Sequence, residues 1–335
     1  MSIRKRIFLD KANIGWWTPE RSKKADVPFN VIIGGRGIGK TYGILKEFLT
    51  DESRQFMYAR RTERAIHNIV NPAANPFKSL NRDLKREIIG DYSASVGLGT
   101  FCEHERQLGY AAAVSVSGNQ RGADFWDVSH FILDEAVPQA NERVSAKEAD
   151  AFFNFYETIN RNRELVGEKP VKAYLCSNSQ TITAPIYVGL GIVGILENMR
   201  MTRQQYYTDK ERGIHIEYIR DSPVSQAKAQ TALYRATEGT SFYSHAIEND
   251  FSYDNFVGVE RRKIVEYAPI VSVSGITLYQ HKTGGHYYFT TQKANVSDIS
   301  EKLFKMQYLP KILALDMRGK VFYESYECKK KILTM

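Results

Sequence analysis

At 335 residues the chain exceeds one ordinary domain and falls short of three, so two domains are expected. Apolar residues make up 43% and charged residues 25%, which excludes wholesale disorder, and no apolar run approaches the length needed to span a bilayer. The formal net charge of +8 is uneven: residues 255–335 hold 13 basic and 7 acidic side chains, as expected of a part that meets a phosphate backbone.

Met1-Ser2-Ile3-Arg4-Lys5-Arg6 is not followed by a long apolar stretch and a cleavage site, so a cytosolic, unprocessed chain is expected. Cys102, Cys176 and Cys328 are scattered, odd in number and away from metal-ligand spacing, which fits reduced thiols rather than a disulfide framework.

Residues 1–197 alternate short apolar runs with helical stretches: Val31-Ile32-Ile33, Phe56-Met57-Tyr58-Ala59, Phe131-Ile132-Leu133 and Val171 to Cys176. Such runs are what a largely parallel sheet covered on both faces produces, so an α/β domain is expected here. Trp16-Trp17, ahead of the first run, suits either packing or stacking on a base. Residues 198–254 are polar and charge-mixed, which reads as a small helical lid or linker. Over 255–335, Ile270 to Leu278 and His286 to Thr291 read as strands of a hairpin turning at Gly284-Gly285. A helix from about Ser297 to Gln307 and a strand at Lys320 to Tyr323 come next. His281 and His286 flank that turn without partners at metal spacing, so they read as turn residues.

Gly34-Gly35-Arg36-Gly37-Ile38-Gly39-Lys40-Thr41 has the spacing of a phosphate-binding loop, in which backbone N–H groups wrap the phosphates and Lys40 reaches the terminal ones. Val31-Ile32-Ile33 supplies the strand leading in, and Tyr42 to Leu49 the helix whose N-terminus faces the anion. Thr41 is then the side chain that holds Mg²⁺ beside ATP. Asp134 and Glu135 end an apolar strand, where two charges have no packing role; Asp134 fits the metal partner of Thr41, and Glu135 the group that polarises the attacking water. A positive group must neutralise charge on the transferred phosphoryl, and Arg36, Arg121, Arg161 and Arg163 are the candidates.

These residues resemble the viral genome-packaging ATPases of the large-terminase superfamily, in the short Picovirinae-type form of small podophages. The resemblance is carried by Phe29 to Tyr42, Phe56 to Arg61, the Asp134-Glu135 strand, Asn160-Arg161-Asn162-Arg163-Glu164 and Leu175-Cys176-Ser177-Asn178. It implies a P-loop ATPase of the ASCE type, acting as a homo-oligomeric and pentameric ring that drives double-stranded DNA through the portal of a preformed capsid. A structural RNA is a further partner the resemblance allows, and the place of action is the host cytoplasm, at the portal vertex. It assigns Arg161 as an arginine finger into a neighbour's site, Arg121 as a second basic residue across the interface, and Ser177-Asn178 as the motif coupling hydrolysis to movement. Arg163 carries over less firmly, as a residue that supports the loop.

Larger members of that superfamily end in an RNase H-like nuclease that needs clustered carboxylates. The strand where the first acid belongs reads Ile270-Val271-Ser272-Val273-Ser274-Gly275-Ile276-Thr277-Leu278, with none. A smaller C-terminal α+β domain that kept the nuclease-like fold and lost the cutting is therefore expected, offering a basic surface to DNA, RNA or the portal. A helicase and a non-catalytic nucleic-acid scaffold are the competing functions.

Overall fold

The computed structural model describes residues 15–51, 53–120, 122–139, 142, 145, 147–240, 243, 251 and 254–335. Two compact units emerge, one from Met1–Gly191 with Met199–Ser252 and the other from Ile192–Asn198 with Tyr253–Met335.

The first unit is built on β1 (Phe29–Gly34), β2 (Gln55–Arg60), β3 (Ile88–Ser93), β4 (Leu98–Glu103), β5 (Arg106–Ala113), β6 (Val128–Asp134), β7 (Lys172–Ser177), β8 (Tyr206–Asp209) and β9 (Ile214–Ile219). They form one sheet in the order β3-β4-β5-β2-β6-β7-β1-β9-β8. From β5 to β9 every neighbouring pair is parallel; β3, β4 and β8 add antiparallel pairings towards the two edges. Val31, Ile32 and Ile33 have no accessible surface, because a central parallel strand is covered on both faces. The α/β expectation and its four apolar strands hold.

The expected lid over 198–254 does not: β8 and β9 complete the sheet, with β9 parallel beside β1. Ile214-His215-Ile216-Glu217-Tyr218-Ile219 alternates in polarity like a half-exposed strand, yet all six residues are buried. Its polar members carry their own partners. Glu217 accepts from Trp17 Nε1 at 2.9 Å and from Ser22 Oγ at 2.8 Å, and His215 Nδ1 lies 2.7 Å from Thr208 Oγ1. Pairing of this kind offsets part of the desolvation penalty that normally keeps such residues outside.

The second unit carries a smaller sheet of β10 (Tyr267–Val273), β11 (Ile276–His281), β12 (Tyr287–Thr290), β13 (Asp298–Ile299) and β14 (Val321–Tyr323), in the order β13-β10-β11-β12-β14. The run read as one strand from Ile270 to Leu278 folds back on itself at Ser274 (φ 49°) and Gly275 (φ 80°), so the single hairpin becomes a three-stranded meander. Two consecutive left-handed residues match the twist of a tight hairpin, and a Ser-Gly pair signals this less clearly than Asn-Gly. The turn at Gly284 is closed by its N–H donating to His281 Nδ1 at 2.9 Å, the place expected of that histidine. The next helix is Glu301–Gln307, capped by the Ser300 side chain on the Leu303 N–H, because Asp298 and Ile299 are taken by β13. No helix among the described residues is long and apolar enough to cross a membrane.

Phe131 on β6 is fully buried, with ring centroids 5.6 Å from both Phe152 and Phe155 of the helix Glu148–Asn160. Phe131→Ala should lower stability by about 3–5 kcal/mol, read from urea unfolding. A loss below about 1 kcal/mol would contradict this packing.

Candidate nucleotide-binding site

In a parallel sheet the chain leaves each strand on the same edge, and ligands bind there. Gly34 ends β1, Arg60 ends β2, Asp134 ends β6 and Ser177 ends β7. Register brings them level: Leu133 pairs with Leu175, Asp134 with Cys176 and Ile33 with Ser177.

The loop from Gly34 to Thr41 turns through Gly37 (φ 68°) and Gly39 (φ 99°), conformations that a residue with Cβ adopts at a cost. It delivers the chain into the helix Lys40–Phe48, whose first N–H groups point back into the loop. Lys40 is buried, and its ammonium donates to the carbonyls of Gly34 at 2.7 Å and Gly35 at 2.9 Å, with Asn178 Oδ1 at 3.5 Å. Burial pulls its pKa down to about 8.

Thr41 Oγ1 donates to Asp134 Oδ1 at 3.1 Å, while Asp134 Oδ2 accepts from Tyr58 at 2.6 Å and Arg60 at 3.1 Å. Burial lifts the Tyr58 phenol well above its ordinary range, so it stays a donor. Arg60 also donates to Glu135 Oε2 at 2.8 Å. Glu135 sits at φ 55°, uncommon for a residue with a side chain, and its N–H returns to Asp134 Oδ1 at 3.1 Å. One guanidinium therefore holds both acids. A cleft of about 610 Å³ is lined by Arg36, Lys40, Thr41, Asp134, Glu135 and Asn178, so these predicted residues meet in one place. Ser177 is buried beneath it, hydrogen-bonded to the Tyr187 hydroxyl.

Arg161 and Arg163 lie elsewhere. The helix Glu148–Asn160 runs from the carboxyl edge of the sheet to the opposite one, where Arg161 donates to the Ala123 carbonyl ahead of β6. The seven residues of β6 separate these edges by about 20 Å. Arg161 is exposed and strained at φ 47°, ψ −140°. Arg163 is 4% exposed, donates to the carbonyls of Phe125 at 3.0 Å and Trp126 at 2.6 Å, and lies 5.1 Å from the Trp126 ring centroid. That is a loop support. Arg121 lies outside the described residues.

In the sequence, Tyr58 belongs to an apolar run and Arg60 only to the resemblance, and neither has a role at the site. A basic pair closing a buried strand is the same signal that singles out Asp134-Glu135. Trp17 is an anchor: its N–H donates to the Ile38 carbonyl at 2.9 Å and its indole is held by Glu217. Trp16 is exposed beside Gly39. A second cleft of about 460 Å³ is lined by Trp17, Ile38, Tyr206, Ile219 and Pro223.

A glycine-rich loop between a central parallel strand and a helix, with an acid on a neighbouring strand hydrogen-bonded to the loop threonine, defines a P-loop protein. The chain belongs to the podovirus DNA encapsidation protein (Gp16) family, whose model matches residues 9–303. It is 26% identical over 241 residues to the DNA packaging protein of Bacillus phage B103, covering 70% of this chain and 67% of that protein. To the DNA packaging protein of Bacillus phage phi29 it is 24% identical over 269 residues, covering 78% and 74%. Its fold is that of a chain in the bacteriophage Phi-29 viral genome packaging motor assembly, with a TM-score of 0.64 at 20% identity over 93% of this chain and 95% of that one.

The two arginines separate by stability. Arg163→Ala removes a buried guanidinium that ties the Phe125 and Trp126 carbonyls together and should cost about 2–3 kcal/mol in urea unfolding, whereas Arg161→Ala should cost less than about 0.5 kcal/mol. Equal losses would contradict the division.

Proposed function

We propose that this chain is an ATP-driven motor subunit that moves double-stranded DNA through the portal of a preformed viral capsid. The observation that carries the reading is the convergence of Lys40, Thr41, Asp134, Glu135 and Asn178 on one cleft at the carboxyl edge of the sheet. Family membership supplies the biological setting.

The loop N–H groups and Lys40 bind the phosphates of ATP, and the cleft beside Trp17, Ile38 and Tyr206 takes the base. Thr41 and Asp134 present hard oxygen donors 3.1 Å apart, a set that suits Mg²⁺, and they would hold it. That ion supplies charge neutralisation on the phosphates when bound. Glu135 accepts the proton of the attacking water, with Arg60 fixing its carboxylate. Asn178, 3.5 Å from Lys40 and next to Ser177, reports the state of the phosphates to β7 and to the helix Pro185–Gly189 beyond it.

Arg161 cannot serve the cleft of its own subunit across the depth of the sheet, so its catalytic role requires a neighbour. This favours a ring, which we take to be pentameric, with Arg121 as a second basic contribution at the interface. The second unit holds the excess of basic charge and no acid on the strands β10 and β11. We read it as a nuclease-like domain without cutting activity, whose surface meets DNA, the portal or a packaging RNA.

ATP hydrolysis measured with and without double-stranded DNA and empty capsids tests the reading. Capsid-dependent protection of DNA from nuclease is expected; strand unwinding instead would point to a helicase, and silence under every condition to a scaffold. Arg161→Ala and Glu135→Gln should each abolish turnover in assembled rings, by roughly three orders of magnitude or more for the arginine. Mixed rings of the two should regain part of it, because each variant supplies what its neighbour lacks. No recovery on mixing would rule out the trans finger.

Lys40 adds a pH signature. Its lowered pKa means the ammonium is lost as pH rises through about 8, and bound polyphosphate favours the charged form. Nucleotide affinity should therefore weaken above pH 8. A dissociation constant that stays flat to about pH 9.5 would contradict it.

A further inference from the structure

Lys228 belongs to none of the sequence motifs, yet its ammonium donates to the carbonyl of Arg36 at the apex of the phosphate loop. A Cβ built on Gly37 would lie 2.9 Å from Lys228 Nζ, so the side chain is seated against the loop rather than passing near it. The residue is carried by the helix Pro223–Ala229, which starts directly after β9. Ser222 fixes that start by accepting from the Ser225 N–H at 3.1 Å, and proline occupies the first turn. The pairing of Ile33 with Tyr218 and Gly34 with Ile219 sets β9 level with the strand that launches the loop. One register thus places both the loop and the lysine.

The electrostatics at the apex are one-sided. Arg36, Lys40 and Lys228 converge on it, and the carbonyls of Gly34, Gly35 and Arg36 take up the two ammonium groups. Burial first and the Arg36 charge second lower the pKa of Lys228, so its ammonium is held where an anion would stabilise it. The N–H groups of the same apex are those that wrap phosphate oxygens.

We propose that Lys228 is a phosphate-responsive positioning residue: when a nucleoside triphosphate occupies the loop, its ammonium exchanges the Arg36 carbonyl for the polyphosphate, and the helix Pro223–Ala229 moves with it. The proposal rests on the reading of Gly34–Thr41 as a nucleotide site. The chain that leaves this helix continues into the helix Ala232–Ala236.

A simple strut for the loop would make the same contact with Arg36 but treat diphosphate and triphosphate alike. The test is calorimetric binding of ADP and of ATPγS, each with Mg²⁺, to the full chain. Lys228→Met should weaken ATPγS by about tenfold, the worth of one charge-assisted contact, and ADP by less than about threefold. Lys228→Arg should recover most of the difference. Lys228→Gln keeps a donor for the Arg36 carbonyl without the charge and should behave like Lys228→Met; it also serves if the methionine variant does not fold. Equal weakening of both nucleotides, or no change in either, overturns the proposal. Failure of the wild-type chain to bind either nucleotide would instead overturn the reading of the loop itself.

Discussion

The parallel pairing of β6, β7 and β1 is the constraint on which the rest of the molecule depends. Side chains in a strand alternate between faces, so a slip of one residue between β6 and β7 would turn Asp134 away from Thr41. The 3.1 Å hydrogen bond between them would then be impossible. Register is held by burial: Val31, Ile32, Ile33, Phe131 and Ile132 are sealed on both sides, and a slip in an interior strand displaces large side chains into closed space. Strong packing in the middle of the sheet is thus what allows charges to be gathered at its edge.

Those charges are arranged in two groups with opposite needs. The acids are satisfied from within the fold, since Arg60 and Tyr58 meet Asp134 and Arg60 meets Glu135. Lys40 and Lys228 are met by backbone carbonyls and, for Lys40, the Asn178 amide oxygen, which are dipoles rather than full charges. A group placed this way gains from an anion more than a solvated lysine does. The site is complete on its acidic side and responsive on its basic side.

The interior of the nucleotide-binding sheet was legible in the sequence because its strands are uninterrupted apolar runs, and the loop because glycine, lysine and threonine have no other common reason to stand at that spacing. The outer strands were harder. β9 hides buried His215 and Glu217 within an alternating pattern; Glu217 is explained only by partners about 200 residues away in Trp17 and Ser22, and His215 by Thr208 on the neighbouring β8. β3, β4 and β5 interleave glycine and polar residues that look like loop. In the smaller sheet, the Ser274-Gly275 turn was read through because the residues on either side are equally β-prone. At the site, Asp134 and Glu135 were readable as acids without a packing role. Lys228 was not, since nothing local marks a lysine in a polar stretch as the partner of a loop 192 residues before it. Arg163 differs from Arg161 only in what the folded chain wraps around it.

Arg161 stands on one edge of the sheet and Lys40 on the other, so the proposed trans contact would have to join unlike edges of two copies. An interface that joins the arginine edge of one copy to the cleft edge of the next is heterologous, with different patches on its two sides. Such an interface has no built-in stopping point. Whether the series of copies closes depends on the rotation between successive members, a few degrees separating a ring from an open helical filament. In the proposed ring, selection on this surface would act on angle as well as on affinity.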